Sequence, residues 1–186
     1  LTPIPDYLVI SGSIPAGVPD DIYAKMAKKA KKKGIKVVVD VAGKPLKEVM
    51  KEGVFLIKPN LGEFQDLVDR ELTEDDEIKE AAFNMIKNNC CSVVVISLGA
   101  GGVLFVTEEQ AKFMRPPTVP IKSKVGAGDS MVAGIVLSLA QGNNLESSVI
   151  YGLAAGSSAV MTPGTELCKK EDTERLYRKM IDNFDK

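Results

Sequence analysis

At 186 residues, with 45 % hydrophobic and 26 % charged side chains, the chain has the length and make-up to bury one sizeable core. A net charge of −1 removes the global electrostatic case for nucleic acid or an anionic membrane, and the absence of histidine excludes His-containing zinc sites and Ser-His or Cys-His nucleophiles. Three cysteines (Cys90, Cys91, Cys168) without a Cys-x-x-Cys spacing point to a reducing cytoplasm, and neither a membrane-spanning apolar run nor a signal peptide is visible.

Taken in order, Tyr7–Ser13 reads as a strand running into a loop of small residues. Asp20–Lys33 reads as a helix with Ile22, Met26 and Ala30 on its buried face and Gly34 as its stop. Its lysine-rich end, Lys28–Lys33, suits the negative end of a helix dipole and lacks aromatic partners, so it is read as a solvated face rather than a nucleic-acid patch. Lys36–Asp40 is a second strand, with Asp40 at the carboxyl edge where ligands of open α/β sheets gather; the alternative is a carboxylate that caps a loop. A helix over Pro45–Lys51 leads to a third strand, Val54–Lys58.

Next comes Lys58-Pro59-Asn60-Leu61-Gly62-Glu63. Lys58 at a strand end can reach a phosphate, and one helical turn brings the oxygens of Asn60 and Glu63 to one face. A hard cation such as Mg²⁺ takes oxygen ligands and keeps several waters, so one carboxylate and an amide suffice; a helix cap is the competing reading. Thr73–Asp76 opens a helix with Ile78, Ala82, Met85 and Ile86 on one face. Ser92–Leu98 is the most strand-like run, and Gly99-Ala-Gly-Gly102 after it leaves backbone free to approach a nucleotide, or simply forms a hairpin with Gly102–Val106 and Ala111–Met114.

The stretch Val125-Gly-Ala-Gly-Asp-Ser-Met-Val-Ala-Gly134 then runs into a helical pattern ending at Gly142. Its glycines free backbone N–H groups for an anion at a helix N-terminus. Asp129 beside that turn suits a base that takes a hydroxyl proton while charge develops on a transferring phosphoryl group; the other reading is a helix cap on a tight turn. Leu145–Met161 is a helix rich in Gly, Ala and Ser, a face suited to close packing or to a flat ring, and Thr173–Phe184 reads as a terminal amphipathic helix.

GAGDSMVAG closely resembles the C-terminal signature of the PfkB (ribokinase-like) carbohydrate kinases. The resemblance implies an anion hole at Gly126, Ala127 and Gly128, and Asp129 as catalytic base. Lys58, Asn60 and the Ser97-Leu98-Gly99-Ala100-Gly101-Gly102 loop (Ser97, Gly99, Gly101 and Gly102) would serve ATP, with Leu153 and Ser157 walling the adenine. Asn60, Glu63 and, indirectly, Asp40 would serve Mg²⁺, and Ser123, Val125, Ala159, Thr162 and Gly164 would supply oxygens to K⁺. Gly12–Gly17 resembles the family's loop near the sugar.

The fold implied is a ribokinase-like, three-layer α/β/α arrangement with a mostly parallel sheet. With no linker visible, residues 1–186 are read as one C-terminal nucleotide-binding and catalytic portion. The resemblance covers only that portion of a usual member; the N-terminal part and the lid, with most sugar contacts, have no counterpart, and the 186 residues alone are expected to be inactive. The implied activity is ATP-dependent phosphorylation of fructose 6-phosphate, with tagatose-6-phosphate kinase and 1-phosphofructokinase as rivals and a non-catalytic nucleotide-binding module as the alternative of another class. Implied partners are a sugar phosphate, ATP and a second copy in a homodimer, with no nucleic acid or membrane. Lys124 departs from the family, where many members carry Thr.

Overall fold

The computed structural model describes residues 3–184. Six strands, β1 (Tyr7–Ser11), β2 (Lys36–Asp40), β3 (Val54–Ile57), β4 (Cys91–Ser97), β5 (Val103–Val106) and β6 (Ala111–Met114), lie side by side in chain order. The pairings from β1 to β4 are parallel, with Tyr7 opposite Lys36 and Ile57 opposite Val94, and β4–β5 is antiparallel. Between them run α1 (Ile22–Lys31), α2 (Gly43–Met50), α3 (Leu61–Val68) and α4 (Asp75–Lys87); α5 (Ala127–Ala140), α6 (Leu145–Val160) and α7 (Lys170–Phe184) come after the last strand.

The continuous apolar runs have a simple cause. Val37 and Val39, Val94 and Ile96, and Leu104 and Val106 join one core cluster with Ala27, Leu46, Phe64 and Ile78 from the helices. Their neighbours Val38, Val93, Val95, Val103 and Phe105 point the other way and are equally buried. A strand buried on both faces has no position left for an alternating polar residue.

Backbone contacts divide the chain into two compact units. The first runs up to Gly99 and includes Val103–Phe113; the second holds Ala100–Gly102 and the chain from Met114 onward. In the second, α6 packs on α5 and on α7, and Tyr151 meets Tyr177 edge-to-face at 5.2 Å.

Two sequence expectations shift, both in α1. Helix α1 buries Ala24, Ala27 and Ala30, leaving Met26 40 % exposed: small residues let the helix lie close to its support, so the larger side chain faces out. It also stops at Lys31, with Gly34 taking φ 74° in the turn beyond it. Lys31 donates to the Glu52 carbonyl and Lys28 pairs with the Glu52 carboxylate, as a solvated face should. Helix α4 begins at Asp75 with Glu74 as its N-cap, inside the Thr73–Asp76 stretch read as its opening. Glu77 accepts from the Thr73 and Glu74 amides, and those bonds, with Arg70, hold its carboxyl below the usual range.

All three cysteines are free thiols. Burial pushes Cys91 up to about 12, with Cys90 beside it adding to the shift. At pH 8 the native protein should therefore alkylate at Cys91 about 10²-fold more slowly than at Cys90 or Cys168, since the thiolate is the nucleophile. Peptide mass spectrometry reads this directly, and equal labelling of the three would contradict the burial.

Candidate active site

In the first unit the predicted residues cluster at the carboxyl ends of β2, β3 and β4. Ser97 donates its amide to the Pro59 carbonyl at 2.8 Å, and Asn60 forms an isolated bridge with Ser97. Two residues assigned to one ligand from distant parts of the sequence are thus adjacent. Asn60 caps α3: its Oδ1 accepts from the Glu63 amide at 2.9 Å, while Glu63 Oε2 accepts from the Asn60 amide at 2.9 Å. The helix-cap reading of this pair is therefore what the structure displays. Among the described residues it leaves Glu63 Oε1 without a protein partner, and one such carboxylate oxygen would be a suitable donor to Mg²⁺. Among the described residues no group of three or more acidic or cysteine side chains forms a closed metal cage.

Lys58 does not stand free to reach a phosphate. It is buried, and its Nζ lies 3.0 Å from Asp40 Oδ1, so Asp40 neutralises a charge that would be costly to bury alone. Asp40 also borders an open cleft of about 540 Å³ lined in part by Gly12, Ser13, Lys44 and Glu63.

The second unit holds the glycine turn. Gly126 takes φ 75°, a left-handed conformation, and α5 begins at Ala127 with no side chain capping it. The first amides of a helix have no partner one turn back, so those of Ala127, Gly128 and Asp129 face outward with the positive end of a 14-residue helix behind them. The turn is closed by the Ser130 amide, which donates to the Gly126 carbonyl at 2.9 Å. Asp129 is exposed, at the third helical position, and makes no hydrogen bond or ion pair among the described residues. The helix-cap reading of Asp129 is excluded by that geometry.

Beside the turn, Ser123 Oγ donates to the Gly164 carbonyl at 2.6 Å and accepts from the Val125 amide at 3.2 Å. The Thr162 hydroxyl lies 2.7 Å from the Ala159 carbonyl. The Ala159 carbonyl also accepts from the Thr162 amide at 3.1 Å, whereas the Gly164 carbonyl beside Ser123 Oγ keeps a second lone pair that could face a cation. The small face of α6 is used for packing: a Cβ on Gly152 would fall 2.4 Å from Ile135 Cγ1, and one on Gly156 would fall 3.1 Å from the Ala127 carbonyl. Leu153 and Ser157 are both buried, with 2 % and 6 % of their surface exposed. Gly99 and Gly101 lie in a 3₁₀ turn, and Gly102 is needed by the chain itself, since a Cβ there would sit 2.0 Å from the Met114 carbonyl. Leu167, which the sequence gives no reason to single out, rests on Gly126.

The model of the pfkB family carbohydrate kinases matches residues 5–172. The chain belongs to this family. It is 42 % identical over 171 residues to the ATP-dependent 6-phosphofructokinase isozyme 2 of Escherichia coli, an alignment covering 91 % of this chain and 55 % of that protein. It is 32 % identical to the 1-phosphofructokinase of Borreliella burgdorferi, over 91 % of this chain and 54 % of the relative. A crystal structure of Escherichia coli phosphofructokinase-2 in complex with potassium superposes with a TM-score of 0.90 at 41 % identity, covering 94 % of this chain and 57 % of that one. The fold of this pfkB chain is ribokinase-like α/β, as the sequence implied. The chain spans about half the length of the relatives it matches.

Proposed function

We propose that the whole protein is an ATP-dependent sugar-phosphate kinase, acting on fructose 6-phosphate to give fructose 1,6-bisphosphate. The observation that carries the reading is Asp129: an exposed carboxylate that makes no hydrogen bond or ion pair among the described residues, held in the first turn of a helix whose opening amides have no partner one turn back. In this reading Asp129 accepts the proton of the acceptor hydroxyl as its oxygen bonds to the γ-phosphorus and the bond to the ADP oxygen breaks. The amides at Gly126–Gly128 receive the negative charge spread over the phosphoryl oxygens. Asn60 and Glu63 would hold Mg²⁺, which when bound neutralises phosphate charge. Ser123, Val125, Ala159, Thr162 and Gly164 would hold K⁺, which would brace the loops beside the turn. Ser97, Gly99, Gly101 and Gly102 would border the nucleotide, with Leu153 and Ser157 backing the adenine.

Identity to 6-phosphofructokinases exceeds that to 1-phosphofructokinases, which favours fructose 6-phosphate over fructose 1-phosphate. A homodimer in the cytoplasm completes the proposal. The free cysteines support a reducing compartment, and among the described residues no helix is long and apolar enough to cross a membrane. Transfer of label from γ-labelled ATP to fructose 6-phosphate tests the reading; nucleotide binding without transfer to any sugar would favour a non-catalytic module. In the same assay Glu63→Gln should raise the Mg²⁺ concentration for half-maximal rate by about 10-fold, the usual scale for losing a carboxylate near a metal. An unchanged Mg²⁺ titration would confine Glu63 to its capping role.

A further inference from the structure

The loop from Thr162 to Lys169 is anchored at both ends and presents a large apolar side chain between the anchors. At one end the Thr162 hydroxyl lies 2.6 Å from the Glu166 carbonyl, and the Glu166 amide donates to the Pro163 carbonyl at 3.2 Å. At the other, the Lys169 amide donates to the Ser158 hydroxyl at 2.9 Å, and that hydroxyl lies 3.2 Å from the Lys169 carbonyl. Leu167 sits between them and is 59 % exposed. A fully buried leucine gives roughly 1.5–3 kcal/mol; one this exposed gives only a part, so folding stability does not account for it.

Its contact does. An ideal Cβ on Gly126 would lie 2.9 Å from Leu167 Cδ2, so the methyl group rests on the bare Cα of the residue that turns the chain into α5. Glycine moves between left- and right-handed conformations at little cost. A turn built on such a residue keeps its shape only if something outside it removes the alternatives. The opening amides act on developing charge only when their directions are already set, and Leu167 is in van der Waals contact with the hinge that sets them.

We propose that Leu167 is a positioning residue that clamps Gly126 in its left-handed conformation and so fixes the amides of the anion turn. The catalytic part of this inference rests on the function proposed above; the clamp itself does not. Truncating Leu167 leaves every charge and amide of the turn in place, so the loss falls on turnover rather than on nucleotide affinity.

The test uses Leu167→Ala and Leu167→Met in the whole protein. Hydrogen exchange is read at the Ser130 amide, whose bond to Gly126 closes the turn, alongside Tm and steady-state kinetics. Leu167→Ala should speed Ser130 exchange about 10-fold and lower kcat by about the same factor, a fraction of what an ångström of misplacement costs. KM for ATP should stay within about twofold and Tm nearly unchanged, and Leu167→Met should restore exchange and kcat. Unchanged Ser130 exchange in Leu167→Ala overturns the clamp, as does a Tm loss with faster exchange throughout α5 and α6. Faster exchange with normal kcat overturns its catalytic part. A wild-type protein without kinase activity overturns the proposed function, while the exchange data still decide the clamp.

Discussion

Replacing Asp129 by Asn in the whole protein is expected to lower kcat by about 10² or more while leaving ATP affinity within a few-fold. Asparagine keeps the size and hydrogen-bonding shape of the side chain and removes only its capacity to take a proton. Asp129 is exposed and caps nothing, because the N-cap of α5 is Gly126. The substitution should therefore leave the fold intact, and Tm measured on the same preparation separates lost chemistry from lost structure. Losing a negative charge beside bound phosphates would, if anything, tighten nucleotide binding. Steady-state kinetics with an independent ATP titration reads both quantities. Near-normal turnover would remove Asp129 from the mechanism.

The largest effect on stability is expected at Gly102. A Cβ there would sit 2.0 Å from the Met114 carbonyl oxygen, 2.9 Å from Pro116 Cδ and 3.0 Å from the Arg115 Cα. Two of these are backbone atoms, and the third belongs to a proline ring, so no flexible side chain can swing away. The residue also has φ 94°, where any side chain is strained. Overpacking costs about 1–3 kcal/mol and the backbone conformation about 1–2 kcal/mol more, so Gly102→Ala should destabilise by about 2–5 kcal/mol. At about 2–4 °C per kcal/mol for a protein of this size class, Tm should fall by roughly 10 °C. Thermal unfolding followed by circular dichroism checks it, and a loss within about 1 °C would show that the chain relaxes there freely.

Gly102 also marks a limit of what local sequence can convey. Its place in a Gly-rich loop after a strand suggested backbone held open for a nucleotide. The structure supplies a second cause, the approach of Met114 and Pro116, which depends on how β6 leaves the sheet and leaves no local trace in sequence. The strands themselves were legible. Residues buried on both faces must be apolar at every position, as at Val37, Val38 and Val39. The glycine turn was legible because a Gly-Ala-Gly run ahead of an apolar helical pattern marks a helix start, and the free amides of a first turn belong to any helix.

Contacts set by tertiary structure were not legible. The Lys58–Asp40 pair joins the ends of two neighbouring strands, and the hold of Leu167 on Gly126 joins residues far apart in the chain. Helix α1 misled for a related reason: Met26 outranks Ala27 in hydrophobicity, yet close packing selected the alanine face. Asn60 and Glu63 were correctly placed on one helical turn, and only coordinates could show that they cap each other.

The most direct measurement is ADP release by the whole protein, coupled to a reporter enzyme, with fructose 6-phosphate, fructose 1-phosphate and tagatose 6-phosphate supplied separately at saturating Mg·ATP. The predicted result is turnover highest with fructose 6-phosphate, at least about 10² below wild type in Asp129→Asn, and little release without sugar. Turnover confined to fructose 1-phosphate would contradict the acceptor assignment. No acceptor-dependent release with any of the three would contradict the proposed kinase itself.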